Sequence, residues 1–195
     1  MTRLRQTPSQ TVGPYFAYAL TPEAYGYAAI AGNRPVTAET PGRHLVIEGR
    51  VLDGAGDPVE DALVEIWQAD ARGRYADAPG GGSADFVGFA RCGTDAEGRF
   101  RFETVKPGRV PGPDGRLMAP HIHVCLTARG LLNHLFTRIY FEDEAEANAA
   151  DPILSLVPES RRGTLIARRA HRHGALVYRF DIHLQGERET VFFEV

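Results

Sequence analysis

Cysteine is scarce in this chain. Cys92 and Cys125 are its only two, too few for a disulfide framework and too far apart for a C-x-x-C metal knuckle. A structural zinc site is thereby disfavoured, and a reducing, cytoplasmic setting is the simplest expectation. No apolar run is long enough to span a bilayer, so no membrane partner is expected. The opening "MTRLRQTPSQTVGPYF" has basic residues but no apolar segment behind them, and does not read as a secretory signal. Net charge is -3 with no basic stripe, which argues against nucleic acid as a partner. The G-x-S-x-G, H-E-x-x-H, Walker and dinucleotide fingerprints are all missing.

What remains is the profile of a soluble globular domain: 195 residues, 43% hydrophobic and 24% charged. Glycine and proline punctuate short β-type runs. "HLVIEGRVLD" (44–53) is rich in β-branched residues and ends at the turn cluster "DGAGDP". "ALVEIWQAD" (62–70) alternates, with Trp67 placed for the core. "RFRFETV" (99–105) puts Phe100 and Phe102 on one face. "HIHVCLTA" (121–128), "HLFTRIYF" (134–141), "LVYRFDIHLQ" (176–185) and "TVFFEV" (190–195) continue the series. Such a series predicts an all-β fold: a single β-sandwich domain over 44–195, with an extended N-terminal arm over 1–43. That arm holds four of the seven tyrosines and is expected to pack on a partner chain. Residues 76–90 read as a Gly-rich loop, and 142–170 as room for one or two short helices. "RRGTLIARR" (161–169) reads as four arginines on a possible helix, a solvated charged face.

Three groups of residues offer chemistry. His121 and His123 are two apart on a predicted strand and share a face with Cys125, while Ile122, Val124 and Leu126 turn to the core. Two imidazoles on one face suit iron, copper or zinc but need further ligands, and a bare H-x-H also fits an ordinary polar strand face. Arg129 and Arg138 are each placed to grip a carboxylate with two parallel hydrogen bonds, and each fits a surface ion pair equally well. In "TPSQTVGPYF" (7–16), Gly13 and Pro14 set a fixed bend that presents Tyr15.

The longer stretches carry a resemblance. "HLVIEGRVLDGAGDPVEDALVEIWQADARGRY" (44–75), "GFARCGTDAEGRFRFETVKPG" (88–108), "APHIHV" (119–124) and "YRFDIHLQGERETVFF" (178–193) together resemble the intradiol ring-cleavage dioxygenases. The resemblance implies a β-sandwich in which two tyrosines and two histidines hold a non-haem Fe(III). It is nearest to the two-chain members, which open protocatechuate with O2 for the β-ketoadipate pathway. By this resemblance His121 and His123 fall at the histidine ligand positions. The tyrosine ligands are expected in the loop after "GRY" and just after "KPG". The loop has none, and Val110 stands at the second place. Tyr75 is assigned to the "GRY" landmark itself, not to a ligand position.

That departure matches the alpha type of chain, which shares the fold but has a degenerate metal site. "TPSQTVGPYF", "FTRIYFEDEAEANAADPIL" (136–154) and "LQGERETVFFEV" (184–195) resemble it too. The resemblance then implies a homologous, iron-bearing beta chain as partner and a higher hetero-oligomer. His121 and His123 become remnants of a ligand pair. Thr11, Gly13, Pro14 and Tyr15 line the partner's pocket, and Arg129 attracts the substrate carboxylate. Two other readings stay open. One is a stand-alone non-haem metalloenzyme using His121, His123 and a carboxylate such as Asp85. The other is a non-catalytic β-sandwich binding module.

Overall fold

The computed structural model describes residues 18–78, 85–172 and 174–194. Its nine strands are β1 (His44–Leu52), β2 (Leu63–Trp67), β3 (Phe89–Gly93), β4 (Arg99–Val105), β5 (His121–Thr127), β6 (Leu135–Phe141), β7 (Ile166–Arg172), β8 (Ala175–Arg179) and β9 (Ile182–His183). They connect in the order β3-β2-β5-β6-β7-β8-β1-β4, with β9 added on β1. The hinge of this order is β7. Its first two residues pair parallel with β6, and Arg168–Arg172 pair antiparallel with β8. The sheet therefore folds over into two layers. Ile122, Val124 and Leu126 of β5 meet Ile47 of β1 and Phe102 of β4 in one core between them, each at most 1% exposed. Burying each such side chain contributes about 1.5–3 kcal/mol.

Two strands were not anticipated. β3 emerges from the end of the Gly-rich stretch, where Phe89 and Arg91 flank the buried Ala90 and the run pairs with β2 over five residues. β7 replaces the expected helical face: Arg161 and Arg162 end a short helix α2 (Glu159–Arg162), whereas Arg168 and Arg169 lie on the strand. Another short helix, α1 (Ala145–Ala149), falls in the segment expected to hold one. The expected run 176–185 is broken at Phe180 and Asp181. There the Asp181 carboxylate accepts the Arg50 backbone N–H at 2.9 Å, and the Phe180 carbonyl packs so close on Gly49 that any Cβ there would collide. The run 190–195 makes no strand among the described residues; only Phe193 bridges to Phe136.

The described part of the arm contains a 3-10 turn (Pro22–Tyr25) closed by Gly26 in the left-handed region at φ 79°. Further on it closes the sandwich of its own chain. β3 and β4 are the free edges of the strand order, and adjacent arm residues tie both: the Gly32 carbonyl accepts from Arg91 N–H at 2.9 Å, the Asn33 carbonyl from Glu103 N–H at 3.1 Å. Covering an exposed edge in this way blocks uncontrolled strand pairing.

Candidate functional site

The histidine site is built where β2, β5 and β6 lie side by side. Register places Trp67 opposite His123, and His123 opposite Arg138, so these three side chains share the outer face. After β2 the chain turns back through Asp70–Arg74. The Asp70 carboxylate accepts Arg72 N–H at 2.8 Å and Arg74 N–H at 2.9 Å, an Asx-type turn. Gly73, at φ 76°, meets the Arg109 carbonyl where a Cβ would stand. The "GRY" turn and the "KPG" turn thus dock on each other. Tyr75 and Val110 come out of them side by side, packed with Met118, and Tyr75 stacks on Trp67 at 5.9 Å with the rings 8° apart.

This placement corrects one expectation. Tyr75, assigned to a landmark, presents its hydroxyl to the histidines, 3.1 Å from His123 Nε2. His121 Nε2 lies 3.2 Å from that same nitrogen. One phenol and two imidazoles converge on a single point. Trp67, expected in the core, faces outward with His123 because Ile66 takes the core side of β2, and the tight turn brings Tyr75 back over it.

Protonation follows from the hydrogen bonds. His121 Nδ1 lies 2.8 Å from the Ala119 carbonyl, which can only accept, so Nδ1 carries the proton and Nε2 offers its lone pair. The proton on the ring pair's shared contact then belongs to His123 Nε2, which has two neighbours for one hydrogen. Both rings stay neutral near pH 7. Burial lowers His121 to about 4, and the nearby Arg138 guanidinium pushes the same way against the Ala119 bond. Burial, then His121, then Arg138 lower His123 to about 3. Burial raises the Tyr75 phenol, with Arg138 opposing.

A fully buried carboxylate holds the entrance to β5. Asp151 accepts Ala119 N–H and Leu154 N–H at 2.7 Å, Ile153 N–H at 2.9 Å and the Tyr140 hydroxyl at 3.2 Å. Four donors to one buried acid lock the position of Ala119 and, through its carbonyl, the ring of His121. Neither Asp151 nor Tyr140 had been singled out in the sequence; no short motif marks them.

The donor set does not fit a ferric ion. The two Nε2 atoms keep the separation that imidazoles take around one metal at ~2.1 Å each. Beyond them the site offers a phenol whose ionisation burial opposes, the apolar wall of Val110 (2% exposed), and the positive charge of Arg138. Fe(III) needs anionic oxygen donors to balance its charge. Among the described residues, no group of three or more His, Cys, Asp or Glu side chains is placed to hold a metal ion. Asp85 joins no histidine: its carbonyl is bound by Thr37 and Thr40. Cys125, on the same outer face, is pushed up to about 11 by burial and then by Glu65, which leaves an inert thiol.

Arg129 lies elsewhere. It follows the far end of β5, eight residues beyond His121 and roughly 25 Å along an extended chain at ~3.3 Å per residue. Its side chain is 72% exposed and pairs with Asp61 at 2.8 Å. It lines a cleft of about 1310 Å3 together with Leu20, Thr21 and Pro22, the described base of the arm. Thr11, Gly13, Pro14 and Tyr15 lie outside the described residues. Arg138, not Arg129, is the arginine beside the histidines.

Comparison with known proteins agrees with this architecture. The family model described as Dioxygenase matches residues 12–186. The chain is 52% identical to the protocatechuate 3,4-dioxygenase alpha chain of Burkholderia cepacia over 100% of both chains. It is 42% identical to the beta chain of the same enzyme from Burkholderia cepacia, over 81% of this chain and 71% of that one. Among solved structures, the dioxygenase domain of a carbohydrate-binding fusion protein from Streptomyces sp. SirexAA-E superposes with a TM-score of 0.62 at 28% identity, covering 93% of this chain and 99% of that one.

Proposed function

This chain belongs to the intradiol ring-cleavage dioxygenase family, and on that premise we propose that it is the alpha subunit of a protocatechuate 3,4-dioxygenase. In this reading the assembled enzyme opens protocatechuate (3,4-dihydroxybenzoate) with O2 to 3-carboxy-cis,cis-muconate. The Fe(III) belongs to a homologous beta chain, and this chain lines that chain's pocket. One observation carries the proposal: the chain's own histidine site is short of anionic donors, while Arg129 and the base of the arm share a separate, open cleft.

The roles follow from that division. Iron supplies the activation of the catechol ring toward dioxygen. From this chain, Arg129 turns from the exposed Asp61 pair to the substrate carboxylate across the subunit boundary, an exchange that costs little because a surface ion pair contributes at most about 1 kcal/mol. Thr11, Gly13, Pro14 and Tyr15 form one wall of the same pocket, with the Tyr15 hydroxyl as a donor held by the rigid Gly13-Pro14 bend. Tyr18, Tyr25, Tyr27 and Ile30, all exposed in the arm, supply apolar surface for the partner; Ile30 is 95% exposed. The assembly is a higher hetero-oligomer in the cytoplasm. Free Cys92 and Cys125 suit that compartment, and no helix among the described residues is long and apolar enough to cross a membrane.

Metal analysis and visible spectra test the proposal, on this chain alone and coexpressed with a homologous chain that has both tyrosines. The expected result is an iron-free, colourless lone chain and one iron per pair in the complex, with a tyrosinate band. Arg129→Ala then raises KM for protocatechuate by about tenfold, the loss of one charged hydrogen-bonding contact, with iron content unchanged. A lone chain that takes up iron stoichiometrically and opens a catechol ring overturns it.

A further inference from the structure

We propose that the chain carries a binding site of its own for a small carboxylate, centred on Arg138 beside the His121–His123 pair. The reading goes beyond the pocket-lining role and does not depend on it, because it concerns the opposite end of β5.

Among the other described half-buried arginines, Arg91 pairs with Glu65, and Arg161 and Arg162 donate to backbone carbonyls. Arg129, Arg168, Arg172 and Arg179 each reach a carboxylate within 4.0 Å. Arg138 reaches none among the described residues. Its Nη1 contacts Met118 Sδ at 3.4 Å, a weak acceptor, and the Tyr140 hydroxyl at 3.5 Å; its guanidinium carbon sits 5.9 Å from the Phe193 ring centroid. Nε and Nη2 bond to no described residue. Residues 1–17, 79–84, 173 and 195 contain no Asp or Glu side chain. The nearby acid in the network, Asp151, is saturated by four donors and separated from the guanidinium by Tyr140.

A half-buried guanidinium with no counter-ion among the described residues is a costly arrangement, and its planar fork matches a carboxylate. The Tyr75 hydroxyl, beside His123, stands on the same face as a further donor, while the His123 Nε2–H is taken up within the cluster. The surroundings select the rest of the ligand. Val110, Met118 and the Trp67–Tyr75 stack are apolar, so a single-charged acid with a flat apolar body fits better than a multiply charged phosphate, which one arginine cannot balance. A cation is opposed by the same positive charge. The degenerate metal site is thus inverted in sign: a place built to surround a cation now presents donors to an anion.

Benzoate is the probe, titrated into the full-length chain. Trp67 is the only tryptophan and stacks on Tyr75, so its fluorescence reports directly on this site, and equilibrium dialysis gives the stoichiometry. We expect one benzoate per chain. Arg138→Gln weakens binding about tenfold or more, the loss of a bidentate charged contact, and Arg138→Lys falls between. The neutral isostere benzamide binds about tenfold more weakly than benzoate, and Arg168→Gln, an exposed arginine on β7, leaves the affinity unchanged. If Arg138→Gln fails to fold, Arg138→Lys and the benzoate–benzamide ratio decide. Equal binding of benzoate and benzamide, wild-type affinity in both Arg138 variants, or stoichiometric uptake of Co2+ that benzoate does not displace would each overturn the proposal.

Discussion

At the start of β5, His121 is 2% exposed, bonded at both ring nitrogens and held in place by a carboxylate that answers four donors. Past the other end of the same strand, Arg129 leaves 72% of its side chain in solvent and pairs with an acid that is itself half exposed. The first region spends most of its polar capacity on itself. The second spends almost none. An end that is closed on itself sets shape and stability, and an end left open is available to a neighbouring molecule. Arg138 is the exception within the closed end, which is why a ligand is inferred there and nowhere else in that network.

At neutral pH the contrast breaks most visibly at Asp151. Asp151→Ala strands three backbone N–H groups, two of them buried, and the Tyr140 hydroxyl. The expected loss is about 3–5 kcal/mol, read from urea unfolding with the slope unchanged. A loss below about 1 kcal/mol would mean that the network relaxes or hydrates, and that the histidine end is no more closed than the other.

A change of pH acts on the same end. His121 and His123 stay neutral in the fold down to about 4 and about 3, while in the unfolded chain they take up protons near the ordinary value of ~6.5. Above that value neither state is charged and the pair adds no pH dependence. As pH falls from about 6.5 toward 4, the unfolded chain binds protons that the folded chain refuses, and stability drops by on the order of 6 kcal/mol for the two rings together. Unfolding midpoints measured across this window should fall in the wild type and run flatter in the double variant His121→Gln, His123→Gln. Parallel slopes in the two proteins would place the rings in water.

Much of this was legible in the sequence, for different reasons in different places. Alternation marked β2, β4 and β5, because each has one face in the core, and a buried face leaves a period of two. It failed at β7, where "IARRAHR" buries only Ala167 and the strand exists chiefly to carry the sheet from one layer to the other. It failed at β3, because Phe89–Gly93 follows a Gly-rich loop and takes its order from pairing with β2. His121 and His123 were readable from their spacing alone. Tyr75 was not, since nothing local says that a turn docked on Gly108 will aim a phenol at a strand 48 residues further on. Arg129 and Arg138 looked equivalent as letters; only register shows that Arg138 faces His123 while Arg129 lies beyond the far end of the strand.

The smallest expected stability effect sharpens the comparison most. Arg129→Ala removes a contact to Asp61 at 2.8 Å and one to Glu60 at 4.0 Å, all three side chains being at least half exposed. Such pairs gain little, because water screens the charges and two long side chains must be ordered to meet. The urea midpoint of the lone chain should therefore move by less than about 0.5 kcal/mol in stability. In the assembled enzyme the same variant is expected to weaken protocatechuate use. A residue that is silent in the fold and loud in turnover has its partner outside the chain. If the order is reversed, with stability lost and kinetics untouched, Arg129 serves only to pin the Asp61 turn, where Asp61 sits at a left-handed φ of 63°. The open cleft would then owe its arginine to local structure, and the division of labour between the two ends of β5 would rest on the histidine end alone.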